Sequence, residues 1–138
     1  MKKIVILLLI AMTVASCQKD RTTDCELRAC PYVLRYVVIN FVDKNGAPTE
    51  VKNYSVVNQR TGEEMPADKN YLVNGVPGSF IVVQNTHAPK LSEAGDDLKI
   101  TGTSVVTNQT KTAIIKVSGG KCACDVNKIS GPERIAFD

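Results

Sequence analysis

The chain has 138 residues, 43% of them hydrophobic but only 5% aromatic, with no tryptophan, and it carries 17 Lys+Arg against 14 Asp+Glu. That length suits one domain of ordinary size, and a near-even charge balance without a basic run gives no support for nucleic-acid binding. A single histidine and five cysteines hold most of the chemistry that metal or redox work would need.

The N-terminus reads MKKIVILLLIAMTVASCQKD. Lys2 and Lys3 form a positive n-region, and the apolar run from Ile4 to Ala15 is too short to span about 30 Å of hydrocarbon as a helix. It is read as a signal peptide over residues 1–16. Val14-Ala15-Ser16-Cys17 resembles the lipobox of bacterial lipoproteins, and the resemblance implies cleavage before Cys17 and acylation (palmitate among the chains) of that residue. Two or more chains hold stably where one is marginal at ~0.8 kcal/mol per buried CH₂. Gln18 rather than Asp after the cysteine implies the outer membrane in that family, with a periplasmic or surface-exposed domain. Residues 17–24 form the lipidated end and a polar tether, and residues 25–138 the domain. Losing Lys2 and Lys3 takes the 17 basic residues to 15, one more than the 14 acidic ones.

Val, Ile, Thr and Tyr then recur in short runs separated by turn residues, the pattern of an all-β sandwich. Tyr32 to Asp43 (YVLRYVVINFVD) is apolar at nearly every position, as in a strand covered on both faces. Asn45-Gly46 supplies the tight turn that ends it. A second run covers Tyr54 to Gln59, before Thr61-Gly62. Asn74-Gly75-Val76-Pro77-Gly78 offers Pro-Gly as the central pair of a type II turn, leading into Ser79 to Gln84. Asn85 to Asp97, with Pro89 and Gly95, reads as a loop or at most one short turn. Leu98 to Val106, Thr112 to Ser118, Cys122 to Ile129 and Glu133 to Phe137 complete about seven strands in about 110 residues, with no amphipathic helix.

The spacing Val38-x-Asn40-x-Val42-Asp43-x-x-Gly46-x-Pro48, with Thr61-Gly62 and then Gly78-Ser79-Phe80-Ile81-Val82, resembles the carboxypeptidase regulatory-like domain over roughly Val37 to Val117. The resemblance implies a seven-stranded, Greek-key-type, transthyretin-like (prealbumin-type) sandwich and a non-catalytic module. Its motif residues mark turns and core strands.

Setting Cys17 aside leaves Cys25, Cys30, Cys122 and Cys124, an even set in an exported chain, where disulfides persist. Residues i and i+2 of a strand stand about 6.6–6.8 Å apart, the upper limit for a bridge. Cys122 and Cys124 are therefore expected to reach across to Cys25 and Cys30 rather than bond each other. A tetrathiolate zinc site would use the same four residues, but C-x4-C with C-x-C is not a common knuckle spacing. A catalytic dithiol would favour C-x-x-C at a helix N-terminus.

No reactive constellation emerges. His87 has neither a second histidine nor a His-x-x-Glu partner, residue 90 being Lys. Glu93, Asp96 and Asp97 lack the alternation of a calcium loop. There is no Gly-x-Ser-x-Gly, and Gly119-Gly120 precedes a strand rather than a helix. The expectation is a monomeric, non-catalytic, cofactor-free accessory module of the cell envelope, meeting a protein or glycan through a sheet edge or through a loop carrying His87, Lys90, Glu93, Asp96 and Asp97. The alternatives are an adhesin-type structural subunit that pairs by strand exchange, and a zinc- or thiol-active protein.

Overall fold

The structure, a computed structural model, describes residue 25 and residues 29–31, 33–65 and 75–138. The signal peptide, Cys17 and the tether fall outside the described residues, as do Tyr32 and Asn74.

Seven strands form among the described residues: β1 (Tyr36–Val42), β2 (Val51–Asn58), β3 (Ser79–Gln84), β4 (Asp96–Ser104), β5 (Thr110–Ser118), β6 (Asn127–Ser130) and β7 (Arg134–Ala136). They make two sheets, ordered β3-β1-β7 and β2-β4-β5-β6. Every pairing is antiparallel except β1 with β7. The chain is all-β in character, as its residue pattern implies.

Period-two patterning accounts for most of the layering. On β4, Asp96, Leu98 and Ile100 face inward while Asp97 and Lys99 face solvent. On β1, Val37, Ile39 and Phe41 enter the core and Val38 and Asn40 stay half-buried. Phe41 lies at the centre. Its ring stacks on Phe137 at 5.7 Å and meets Phe80 and Tyr54 edge-on at 5.8 and 6.1 Å. Tyr54 sends its hydroxyl to the Ile81 carbonyl, and burial pushes that phenol far above its ordinary value. Gly102 of β4 faces the same ring, and a Cβ there would stand 2.6 Å from it.

The turns form where turn residues stand. Asp43 accepts the amides of Asn45 and Ala47 on its carboxylate, and Gly46 takes φ +83. This turn brings Pro48 back beside Val42, but β2 then crosses to the other sheet, so it does not join two paired strands. Val76 to Ser79 is a type II turn, with φ +78 at Gly78 and the Ser79 amide on the Val76 carbonyl. Gly78 packs against the Thr49 and Phe41 carbonyls so closely that no side chain would fit.

Three expectations need correction. β1 begins at Tyr36, because residues 33–35 have no strand partner. The segment expected as a loop to Asp97 holds a short 3-10 helix (Asn85–Lys90), and β4 starts already at Asp96. Cys122 and Cys124 precede β6 in a turn and are not on a strand. There Gly120 takes φ +129 and the two cysteines serve two different partners.

Because three aromatic rings converge on Phe41, Phe41→Ala should destabilise the domain by about 3–5 kcal/mol. Urea unfolding of the two proteins measures this directly, with the difference expected in the midpoint and not in the slope.

Candidate functional site

The four domain cysteines form two disulfides, Cys25–Cys122 and Cys30–Cys124, each with Cα atoms 5.3 Å apart. Both reach across the sequence as expected, although Cys122 and Cys124 lie in a turn and not on the strand that the spacing argument assumed, and all four sulfurs are committed to them. They carry the stretch before β1, here called the strap, onto the loop between β5 and β6. That loop is seated independently: Gly119 donates to the Ser92 carbonyl and Gly120 to the Ala88 carbonyl, 3.1 and 2.9 Å.

Beyond the strap, β1 has a partner on one side only for half its length. Its parallel pairing with β7 covers Asn40–Val42 and stops. The Asn40 amide points to that side, toward the Glu133 carbonyl at 3.0 Å, and alternation turns Val38 the same way. From Tyr36 to Ile39 no strand stands there among the described residues. The opening is a groove of about 840 Å³ between β1 and β6, walled by Val33, Leu34 and Tyr36 on one side and by Val126 and Lys128 on the other. Val33 and Leu34 are 54% and 65% exposed. Arg35 stands at its entry, 3.5 Å from Asp125, and Lys128 donates to the Pro132 carbonyl. The site therefore offers unpaired strand backbone beside apolar side chains, the requirements for accepting an added strand.

The five residues singled out in the sequence do not converge. Asp96 faces the interior, its side chain only 1% exposed, and is gripped by Arg60 through Nε and Nη2 at 2.6 and 2.8 Å. Asn58 Nδ2 donates to it at 2.7 Å and the Ser92 amide at 3.3 Å. Asp97 faces outward to Lys116 at 3.3 Å. Lys90 and Glu93 are exposed, and the Lys90 carbonyl accepts from Arg60. His87 is half-buried, and desolvation, helped by Lys90, lowers its pKa. Its Nδ1 and Asn85 Oδ1 are buried without a hydrogen-bond partner among the described residues. Asp96 and Asp97 face opposite ways because they are neighbours on a strand, so the acid cluster does not form one oxygen-lined site.

Sequence reasoning passed over Asn58, the last residue of β2, and Arg60 in the polar turn after it. It also passed over Asn85, whose amide and Nδ2 donate to the Arg35 and Val33 carbonyls, both at 2.9 Å, and so clip the strap. Nothing local marks any of the three, since each acts on a residue distant in the chain. Comparison with family models, with curated proteins and with solved structures finds no match to this chain.

Arg60 foremost, with Asn58 and the Ser92 amide, holds the Asp96 carboxyl below its ordinary range despite burial. A depressed carboxylate adds stability that is present above the unfolded-state pKa and is lost as pH falls through the folded one. Asp96→Asn should therefore unfold about 1–3 kcal/mol more easily near pH 7, with the gap closing below about pH 4. Thermal unfolding at the two pH values checks both the size and the sign.

Proposed function

We propose that this chain is a lipid-anchored, non-catalytic accessory protein of the bacterial cell envelope, whose transthyretin-like (carboxypeptidase regulatory-like) domain captures an extended peptide segment of an envelope protein along β1. The observation that carries this reading is the groove beside Tyr36–Ile39, where, among the described residues, strand backbone paired with β3 lacks a second neighbour and apolar side chains flank it. A peptide laid there would hydrogen-bond to β1 in line with β7 and place alternate side chains against Val33, Leu34 and Val126.

Other features support the reading. Val14-Ala15-Ser16-Cys17 supplies the anchor, on the outer membrane by the Gln18 criterion. The residues from Cys17 to Cys25 reach at most about 28 Å when fully extended, which keeps the strap and the groove mouth near the membrane. The residues that carry the family resemblance serve the backbone: Asp43 and Gly46 shape one turn, and Gly78 another. A second reading rests on the same edge: two copies could pair through β1, as an assembly subunit would.

Mature protein in detergent, challenged with a library of extended peptides of about ten residues, tests the proposal. Binders should have alternating apolar residues and slow amide exchange at residues 36–39. Leu34→Asp, an exposed position, should weaken them at least about tenfold, ~1.4 kcal/mol, with no change in melting. Binding that slows exchange elsewhere, or that ignores Leu34→Asp, would sink it. Concentration-dependent dimers lost in Leu34→Asp would favour the second reading.

A further inference from the structure

The groove beside β1 is crossed by chain at both ends. At its foot the link from β6 to β7 passes from one sheet to the other. Gly131 lies against Ile114 and Ile115 of β5, where a Cβ would stand 2.7 Å from them, and the Glu133 carbonyl accepts the Asn40 amide of β1. At its head the Arg35–Asp125 pair and the Cys30–Cys124 bridge join the chain entering β1 to the loop entering β6. Val37 and Val126, both core residues, form the floor. From Arg35 to Asn40 the chain runs about 16 Å at ~3.3 Å per residue. A strand passing straight through would meet the crossing at residues 131–133, whereas a chain end fits.

Backbone alone sets no direction for that end. The Phe41 amide donates to the Gly78 carbonyl and the Arg35 carbonyl accepts from Asn85, both on the β3 side. Alternation therefore turns the N–H and C=O groups of Tyr36 and Val38 toward the groove, where a strand running either way can bond them. Charge decides between the two. Lys128 lines the groove half-buried, and its Nζ donates to the Pro132 carbonyl at 3.0 Å, which fixes the ammonium at the foot. An ammonium has three N–H donors, and among the described residues no carboxylate lies within 4.0 Å of this one. Glu133 lines the same end but is exposed, where water and salt screen it. Arg35, at the head, is engaged by Asp125.

We infer that the groove takes a free C-terminus: the last few residues of the partner lie parallel to β1, beside Tyr36 and Val38, and their terminal carboxylate meets Lys128 at the foot. This rests on the peptide-capture reading and narrows it from any extended segment to a C-terminal tail with alternating apolar residues. A chain entering with its N-terminus first would bring one ammonium against another. An internal segment would have to turn back at residues 131–133. The residues before the tail leave over the solvent-facing side of the groove.

The experiment uses the mature protein in detergent and libraries of short peptides with alternating apolar residues. They are made as N-acetylated free acids, as N-acetylated C-terminal amides, and as amides with a free N-terminal amine. Free acids should bind at least about tenfold more tightly than the acetylated amides and should slow amide exchange at Tyr36 and Val38. Lys128→Gln should remove that preference, weakening the acids about tenfold while the amides keep their affinity. Glu133→Gln should strengthen the acids and leave the acetylated amides unchanged, and added salt should erode the acid preference. Equal binding of acids and amides would overturn the inference. So would equal weakening of both in Lys128→Gln, which would make the lysine a structural prop, and so would a preference for the free amine. Failure of the capture reading itself would show differently, as no peptide of any library slowing exchange at Tyr36 and Val38.

Discussion

Two covalent bonds hold in place a segment whose described residues are all exposed. Exposed strap residues could not pay the entropy of being ordered through apolar contact alone, yet their position defines one wall of the groove beside β1. Cys25 and Cys30 hold that position because the loop carrying Cys122 and Cys124 is itself seated, by Gly119 on the Ser92 carbonyl and by Gly120 on the Ala88 carbonyl of the 3-10 helix. A Cβ at Gly119 would stand 2.4 Å from the Ala88 carbonyl. The absence of a side chain there is therefore part of what sets the cysteines where the strap can meet them.

The remainder of the domain is built to be indifferent to that seam. Phe41, Phe80, Phe137 and Tyr54 gather toward the far end of β1, away from the strap. At the strap end, Asp96 ties the end of β2 and the segment after the 3-10 helix to the start of β4 through Asn58, Arg60 and Ser92. A buried carboxylate is tolerable only with such partners, and Arg60 can supply a two-pronged grip while its own side chain stays 52% exposed. Aromatic packing thus holds one end and a polar clamp the other, while Val37 and Val126 carry the core up to the β1–β6 seam.

Sheet edges are usually blunted, because unpaired backbone invites other chains. β7 covers part of the β1 edge with a strand of three residues, Arg134–Ala136. Its shortness creates the opening, and a longer β7 would have closed the sheet. The exposed apolar residues beside that gap are Val33, Leu34 and Tyr36, while Val76, Val105, Val106, Ile114 and Ile129 are exposed outside it.

Local chemistry made much of this legible. The apolar run from Ser79 to Gln84 marks β3 to the residue, Pro77-Gly78 names its turn, and the even set of four domain cysteines implies pairing. These are properties of neighbouring residues or of composition, and they need no knowledge of the fold. Which cysteine meets which, that Asp96 turns inward while Asp97 pairs with Lys116, and that half of β1 lacks a second neighbour among the described residues were decided only by tertiary structure. Each depends on residues dozens of positions apart arriving at one place. The Asp-Asp pair looks the same on paper in a loop or at a strand's start, and only burial against Arg60 and Asn58 distinguishes them. The strand period and the even set of cysteines belong to the sequence by itself, and the groove belongs to the way two sheets and two disulfides meet.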